Sequence, residues 1–391
     1  MQKSWADPRL GEFMSKHIVL LRSNPVAPDP PVEKVADTLL GQGYTVTIVG
    51  WERNTAQDTE SALSLPSGQA RIVRFGIPAI FGGGLKKNLK PLILFQRRLL
   101  QWLKRHNSTY DILHAFDFDT GFVANRIAKR YKKPLVYHIL DFYIDSHGLK
   151  GSGLGAFIKK MEFSVINRAD CTVICTEKRK EQIAGSRPKR LKVIHNTPNR
   201  GQVSASMPAL ADFGEACKIV YVGILAGSRF IRETMELVKQ DPRFSFHIGG
   251  FGKMEDEIRL ESQNCPRIVF HGTLPYSQAL ALEQACDVMI AIYDPAVPNH
   301  QYAAPNKFYE SLMLGKPVIM AHNTGFDDII SDNGIGCLID YAPDGLQRGL
   351  EELLSLKSRW AQMGDVGRSL YTQHYSWVLM QQRLTDIYSG L

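Results

Sequence analysis

With 391 residues the chain is longer than one hydrophobic core usually serves, so two domains of ordinary size are expected. Apolar residues make up 44% and charged residues 22%, which excludes a disordered or low-complexity chain. The formal net charge of +8 favours anionic partners (nucleotide phosphates, nucleic acid or an anionic membrane surface) without choosing among them. Only Cys171 and Cys175 of the six cysteines lie close together, within the apolar run CTVIC, so no zinc spacing is completed and a reducing compartment without bound metal is expected. The start MQKSWADPRLGEF lacks the apolar core of a signal peptide, and no run reaches the roughly 18 apolar residues of a membrane span. The expectation is a cytoplasmic protein, with peripheral association at the inner face of the cell membrane left open.

Residues 1–15 read as a tail and 16–198 as a first domain. HIVLL from His17 is a short apolar strand, and the loop RSNPVAPDPP holds four prolines that forbid regular structure. Val32, Val35, Leu39 and Leu40 form a helical stripe, and YTVTIVG alternates as a strand, which makes a doubly wound α/β opening. The loop has no GxGxxG fingerprint, so dinucleotide binding by this half is disfavoured. LKKNLKPLILFQRRLLQWLKRH, from Leu85 to His106, carries seven Lys or Arg and no acid. Leu92, Phe95, Leu99, Trp102 and Leu103 share one helical stripe, while Arg97, Arg98, Lys104 and Arg105 fall largely outside it. Such a helix either lies on an anionic bilayer or packs its stripe on a sheet and leaves its cations solvated. The strand YDILH follows and carries His114; Phe116-Asp117-Phe118-Asp119 then precede a helix, and PLVYHIL ends at Asp141. Ligands of open α/β sheets bind beyond the carboxyl ends of strands, so Asp117 and Asp141 are candidates to face one cleft. Helix capping is the other reading of Asp117.

Residues 199–216 read as a linker, 217–374 as a second strand-helix domain, and 375–391 as a final helix. KIVYVG runs into LAGSR, a turn that sets Arg229 at a helix start, and FSFHI runs into Gly249-Gly250, where backbone can approach a ligand. DVMIAIY empties through DPAVPNHQYAAP into PNKFYESLMLGKPVIM. In this last stretch Asn306 is expected to cap a helix with its side chain, Phe308 and Leu312 to face inward, and Gly315 to end it. Lys307 and Glu310 lie three residues apart on one face. They offer either a cation for phosphate and a carboxylate for sugar hydroxyls, or an ordinary surface ion pair. Convergence of several strand ends around Arg229, Lys307 and Glu310 favours the former.

In order and spacing, the segments DPPVEKVADTLLGQGYTVTIVGWER, VYHILDFY, ADCTVICTEKRKEQI, KVIHNTPN, YAAPNKFYESLMLGKPVI and YSWVLMQQRLTDIY resemble the retaining family 4 glycosyltransferases of GT-B fold (glycosyl transferases group 1). PNKFYE further resembles the donor-site helix of one subgroup. The resemblance implies an α/β architecture of two doubly wound Rossmann-like domains facing a cleft. It places the nucleotide-sugar in the second domain and the acceptor in the first, with the last helix crossing back. No cofactor and no divalent metal are implied, and the nucleotide-sugar is a substrate.

Carried onto this chain, Arg229 and Lys307 are expected at the donor diphosphate, Glu310 at ribose hydroxyls, and Gly250 and Asn306 beside them. His114, Phe116 and Asp141 fall on the acceptor side, and Asp117 and Asp141 would orient hydroxyls. The chain departs from the family pattern at Phe116 and Leu140, where histidines are usual, and at Tyr302 and Ile224, where Glu and Arg are usual. The implied activity is retaining transfer of a hexose or N-acetylhexosamine from a UDP- or GDP-sugar to a glycan or polyprenyl-linked acceptor in surface polysaccharide or glycoconjugate biosynthesis. A nucleotide-sugar 2-epimerase of the same fold and a catalytically weak binding subunit are the alternatives. A nucleic-acid partner is not expected, because the basic residues follow no recognition-module pattern.

Overall fold

The computed structural model describes residues 15–80, 83–202, 210–211 and 213–391. The expected tail lies outside these except for Ser15, and so does much of the expected linker. The chain divides into two compact units. The first comprises residues up to Ile174 with Ile183–Val193 and Arg383–Leu391; the second comprises Cys175–Gln182 and Ile194–Gln382.

The first unit is built on eight strands: β1 His17–Leu21, β2 Thr45–Glu52, β3 Thr59–Leu65, β4 Gly68–Gly76, β5 Ile112–Phe116, β6 Leu135–Ile139, β7 Cys171–Ile174 and β8 Leu191–Val193. Their order is β3-β4-β2-β1-β5-β6-β7-β8. All neighbours are parallel except β3 and β4, which form an antiparallel hairpin across Pro66-Ser67 at the sheet edge. The basic helix, Gly84–Arg105, packs its apolar stripe into the core. Leu92, Phe95, Leu99 and Leu103 are buried in the core, and Phe95 stacks on Trp51 with ring centroids 5.1 Å apart. Burying that stripe is what anchors the helix.

The second unit has six strands, all parallel: β9 Cys217–Leu225, β10 Phe244–Gly252, β11 Ile268–Phe270, β12 Val288–Ile290, β13 Val318–Ala321 and β14 Gly336–Ile339. Their order is β11-β10-β9-β12-β13-β14. The winding reverses at β9, where β10 lies on one side and β12 on the other, and a crevice opens beyond the carboxyl ends at such a point. The same reversal occurs in the first unit between β1 and β5.

One buried acid in the first unit has a measurable consequence. Glu162, on the helix Gly153–Arg168, is fully buried and accepts a hydrogen bond from the Tyr137 hydroxyl at 2.8 Å. Burial, only partly offset by that bond, pushes its carboxyl up to about 8. A raised acid keeps its proton in the folded chain and sheds it on unfolding, so its contribution is complete at low pH and is lost as pH rises toward about 8. Equilibrium unfolding of the native chain should lose up to about 1.4 kcal/mol per pH unit from this site between roughly pH 6 and 8. Glu162→Gln should flatten that slope; an unchanged slope would show that Glu162 is ionised in the folded chain.

Candidate donor site in the second unit

A pocket of about 230 Å³ lies at the crevice of the second sheet. Its walls come from the ends of β9 and β10, from Thr273 and Leu274 after β11, from the helix Tyr276–Ala285, and from the first turns of the helix Asn306–Leu314. Phe308, Tyr309 and Leu312 fix the latter helix by burying its inner face completely or nearly so, and Gly315, at φ 68°, closes it in the left-handed conformation. With the inner face fixed, the first turn presents Lys307 and Glu310 to the pocket.

The Lys307 side chain is 12% exposed and that of Glu310 4%, with Nζ 4.0 Å from Oε2. They are therefore not a surface ion pair. The ammonium also lies 5.1 Å from the Tyr221 ring centroid. Burial works against its charge, but Glu310, then Glu283 and the hydroxyls of Tyr221 and Tyr293, outweigh it and hold the Lys307 pKa above that of a free lysine. Glu310 Oε1 accepts the Tyr276 hydroxyl at 2.9 Å, which orients the carboxylate and leaves lone pairs toward the pocket.

Asn306 is a correction. It is the first helical residue, Pro305 holds the capping position in extended conformation, and no side chain caps the helix. The Asn306 side-chain oxygen instead accepts from Asn196 Nδ2 at 3.0 Å. The ring of Pro305 carries no N–H and is well suited to a helix entry, so the cap is supplied by conformation alone. Arg229 ends the turn Gly227–Arg229. Its guanidinium carbon stands 3.7 Å from the Tyr293 ring centroid, and its Nη1 is buried with no hydrogen-bond partner among the described residues. Ile224 projects from the end of β9 at 58% exposure. Four further residues belong to this site, Tyr221, Tyr276, Glu283 and Tyr293, none of them marked by a motif in the sequence. Tyr276 and Glu283 could have been found by helical spacing, because 276, 279 and 283 fall on one stripe and all line the pocket.

The candidates in the first unit are placed differently. Asp117 follows β5 in the left-handed conformation, φ 58°, and its carboxylate pairs with Arg22 while accepting the amides of Leu140 at 2.8 Å and Asp141 at 3.0 Å. Arg22, which also binds Asp29 at 2.8 Å, was not singled out from sequence. Asp117 thereby ties the ends of β1, β5 and β6 together across the point where the winding reverses. Burial raises its pKa despite Arg22, and nearby Asp141 adds to the rise. Asp141 itself is exposed. His114 and Phe116 are fully buried, because β5 is a central strand. Phe116 stacks on His114 and His138 at 4.5 and 4.9 Å, and burial lowers the pKa of both histidines. On the basic helix, Arg98 pairs with Asp58 and lies 5.1 Å from the Phe75 ring centroid, whereas Arg97, Lys104 and Arg105 are exposed.

Two α/β units, each with a largely parallel sheet whose winding reverses, make the GT-B architecture. Solved structures share this fold along the chain. They include sucrose-phosphate synthase from Thermosynechococcus elongatus (TM-score 0.74, 14% identity, covering 96% of this chain and 99% of that one). Anabaena HepE, solved in complex with UDP-glucose, gives 0.67 and 15% over 96% and 100%. The catalytic domain of starch synthase IV from Arabidopsis thaliana, bound to ADP and acarbose, gives 0.63 and 12% over 96% and 99%. No curated protein sequence matches the chain. Residues 32–199 match the model of Glycosyltransferase Family 4, and residues 216–356 match that of Glycosyl transferases group 1. The chain is a glycosyltransferase of GT-B fold that joins these two halves.

Gly250 has a steric reason beyond ligand approach. Its φ is +132°, and a Cβ there would stand 1.8 Å from the Gly223 carbonyl oxygen on the neighbouring strand. Gly250→Ala should part the ends of β9 and β10 and lower unfolding stability by about 1–3 kcal/mol. A wild-type denaturation midpoint would show that the two strands are not held this close.

Proposed function

We propose that the chain transfers a sugar from a UDP- or GDP-linked donor to a hydroxyl of a glycan or lipid-linked oligosaccharide, with retention at the anomeric carbon. The observation that carries the reading is Lys307. A buried ammonium needs compensating charge, and its one nearby ion-pair partner among the described residues, Glu310, stands at 4.0 Å, beyond direct hydrogen-bonding distance. A diphosphate in the adjoining pocket would meet Lys307, and Arg229 offers a second cation with an unpaired Nη1. Glu310, steadied by Tyr276, suits the ribose hydroxyls. The UDP-glucose bound by HepE, a protein of the same fold, supports this choice of ligand.

In the reaction, the bond from the anomeric carbon to the diphosphate oxygen breaks and the diphosphate gains charge. Lys307 and Arg229 stabilise that charge where it develops, the kind of term that dominates many enzymes. The departing oxygen takes the proton of the acceptor hydroxyl, whose oxygen bonds the same face of the sugar, so no protein nucleophile is required. Asp117 is occupied by Arg22 and the two amides, and we assign it to positioning. Exposed Asp141 is the carboxylate we assign to orienting a hydroxyl.

The outward face of the helix Gly84–Arg105 bears on where an acceptor would be met. Leu89, Ile93 and Leu94 are exposed among the cations Lys87, Lys90 and Arg97, and the helix contains no acid. Such a face fits the headgroup boundary of an anionic bilayer, which would carry a polyprenyl-linked acceptor in glycoconjugate or surface polysaccharide synthesis.

Two measurements check this. UDP or GDP should raise the melting temperature of the native chain, and Lys307→Ala and Glu310→Ala should each weaken nucleotide binding by about 10- to 100-fold. Unchanged affinity in both variants would sink the donor assignment. The chain should float with vesicles containing anionic lipid, and the triple change of Leu89, Ile93 and Leu94 to Ser should abolish flotation. Equal flotation of that variant would remove the membrane contact from this face.

A further inference from the structure

Glu283 is left unused by the donor reading of Lys307 and Glu310. It lies on the pocket-lining stripe of the helix Tyr276–Ala285, with Tyr276 and Ala279. The residue is 2% exposed, and its Oε2 is buried with no hydrogen-bond partner among the described residues. The neighbouring groups do not discharge it. Tyr276, on the same helix, gives its hydroxyl to Glu310, and Lys307 Nζ stands 4.0 Å from the Glu310 carboxylate across the pocket. Cys286, at the end of the same helix, has its own thiol pKa raised by burial.

The charged groups that face Glu283 are thus Glu310, which opposes its ionisation, and Lys307, which favours it. Burial is larger than either and keeps its carboxyl protonated well above the usual range. Were both carboxylates ionised, the pocket would hold two negative charges and one positive, an unfavourable host for an anionic diphosphate. A protonated Glu283 removes one of them and adds an O–H donor.

We propose that Glu283 is a nucleotide-recognition residue that works as a carboxylic acid: it donates a hydrogen bond to an acceptor atom of the bound nucleoside diphosphate, which therefore binds only the protonated carboxyl. The proposal rests on the donor-site reading above. The proton is on the carboxyl of the empty pocket, is drawn from solvent only at pH high enough to have removed it, and stays in place while the nucleotide is bound. Affinity should consequently fall as pH rises through the range in which the empty pocket loses that proton, by at most about tenfold per pH unit.

The test is calorimetric titration of UDP, and of GDP, into the full chain at increasing pH up to the limit at which it stays folded, in two buffers of different ionisation enthalpy. The wild-type chain should bind more weakly and take up a growing fraction of a proton per nucleotide as pH rises. Glu283→Gln, which keeps the shape and an N–H donor, should bind with little dependence on pH and without proton uptake. Glu283→Leu should bind at least about tenfold more weakly, with its melting curve showing that it is folded. Equal proton uptake in the wild type and Glu283→Gln, or wild-type affinity and pH dependence in both variants, would overturn the proposal. If Lys307→Ala and Glu310→Ala weaken binding while the Glu283 variants behave as wild type, only this inference fails. If none of the four changes affects nucleotide binding, the donor-site reading fails with it.

Discussion

A buried ammonium is tolerated only where its surroundings return what water supplied, and the second unit is arranged around one such group. Lys307 is held by the carboxylate of Glu310 and by the ring of Tyr221, with Glu283 and Tyr293 also acting on its charge. Each partner comes from a different element: β9, the segment after β12, the helix Tyr276–Ala285, and its own helix. Phe308 and Leu312 must therefore be packed, and Gly315 must turn the chain, before the ammonium can be placed. The reversal of winding at β9 then provides the space into which these side chains project.

The first unit solves a similar topological problem with the charges reversed. Asp117, forced into the left-handed conformation directly after β5, takes Arg22 from the end of β1 and two amides from the end of β6. A residue other than glycine holds such a backbone only when its surroundings over-determine it, and these bonds do so. The acceptor side of the proposed reaction therefore has a rigid floor, with Asp141 exposed beside it. His114, Phe116 and His138 form a stack beneath that floor, where burial keeps both imidazoles neutral.

Much of this was legible in the sequence, and what was missed has physical causes. The strands of the parallel cores announce themselves as short β-branched runs, and PNKFYE displays its cation and carboxylate by spacing alone. Strand β3 escaped because it is an edge, exposed along most of its length, where no buried face imposes a clear pattern, whereas β4 buries Ala70, Ile72, Val73 and Phe75 and its apolar run went unread. The cap at Asn306 was misassigned because residue type suggested it, whereas Pro305 and the Asn196 contact decide the matter. Glu283 shares a helical stripe with Tyr276 and Ala279, but its residue type hid it. A single acid in a helix that also carries Ser277, Gln278 and Gln284 reads as part of its solvent face, and the packing of the helix against β9 and the helix Asn306–Leu314 reverses that meaning.

The account depends most on Lys307 and Glu310 being the contact points of a nucleotide diphosphate, and an experimental structure of the chain soaked or co-crystallised with UDP addresses this directly. The diphosphate is expected within hydrogen-bonding distance of Lys307 Nζ, with a ribose hydroxyl donating to the Glu310 carboxylate. UDP seated elsewhere in the chain, with Lys307 still turned only to Glu310, would contradict it.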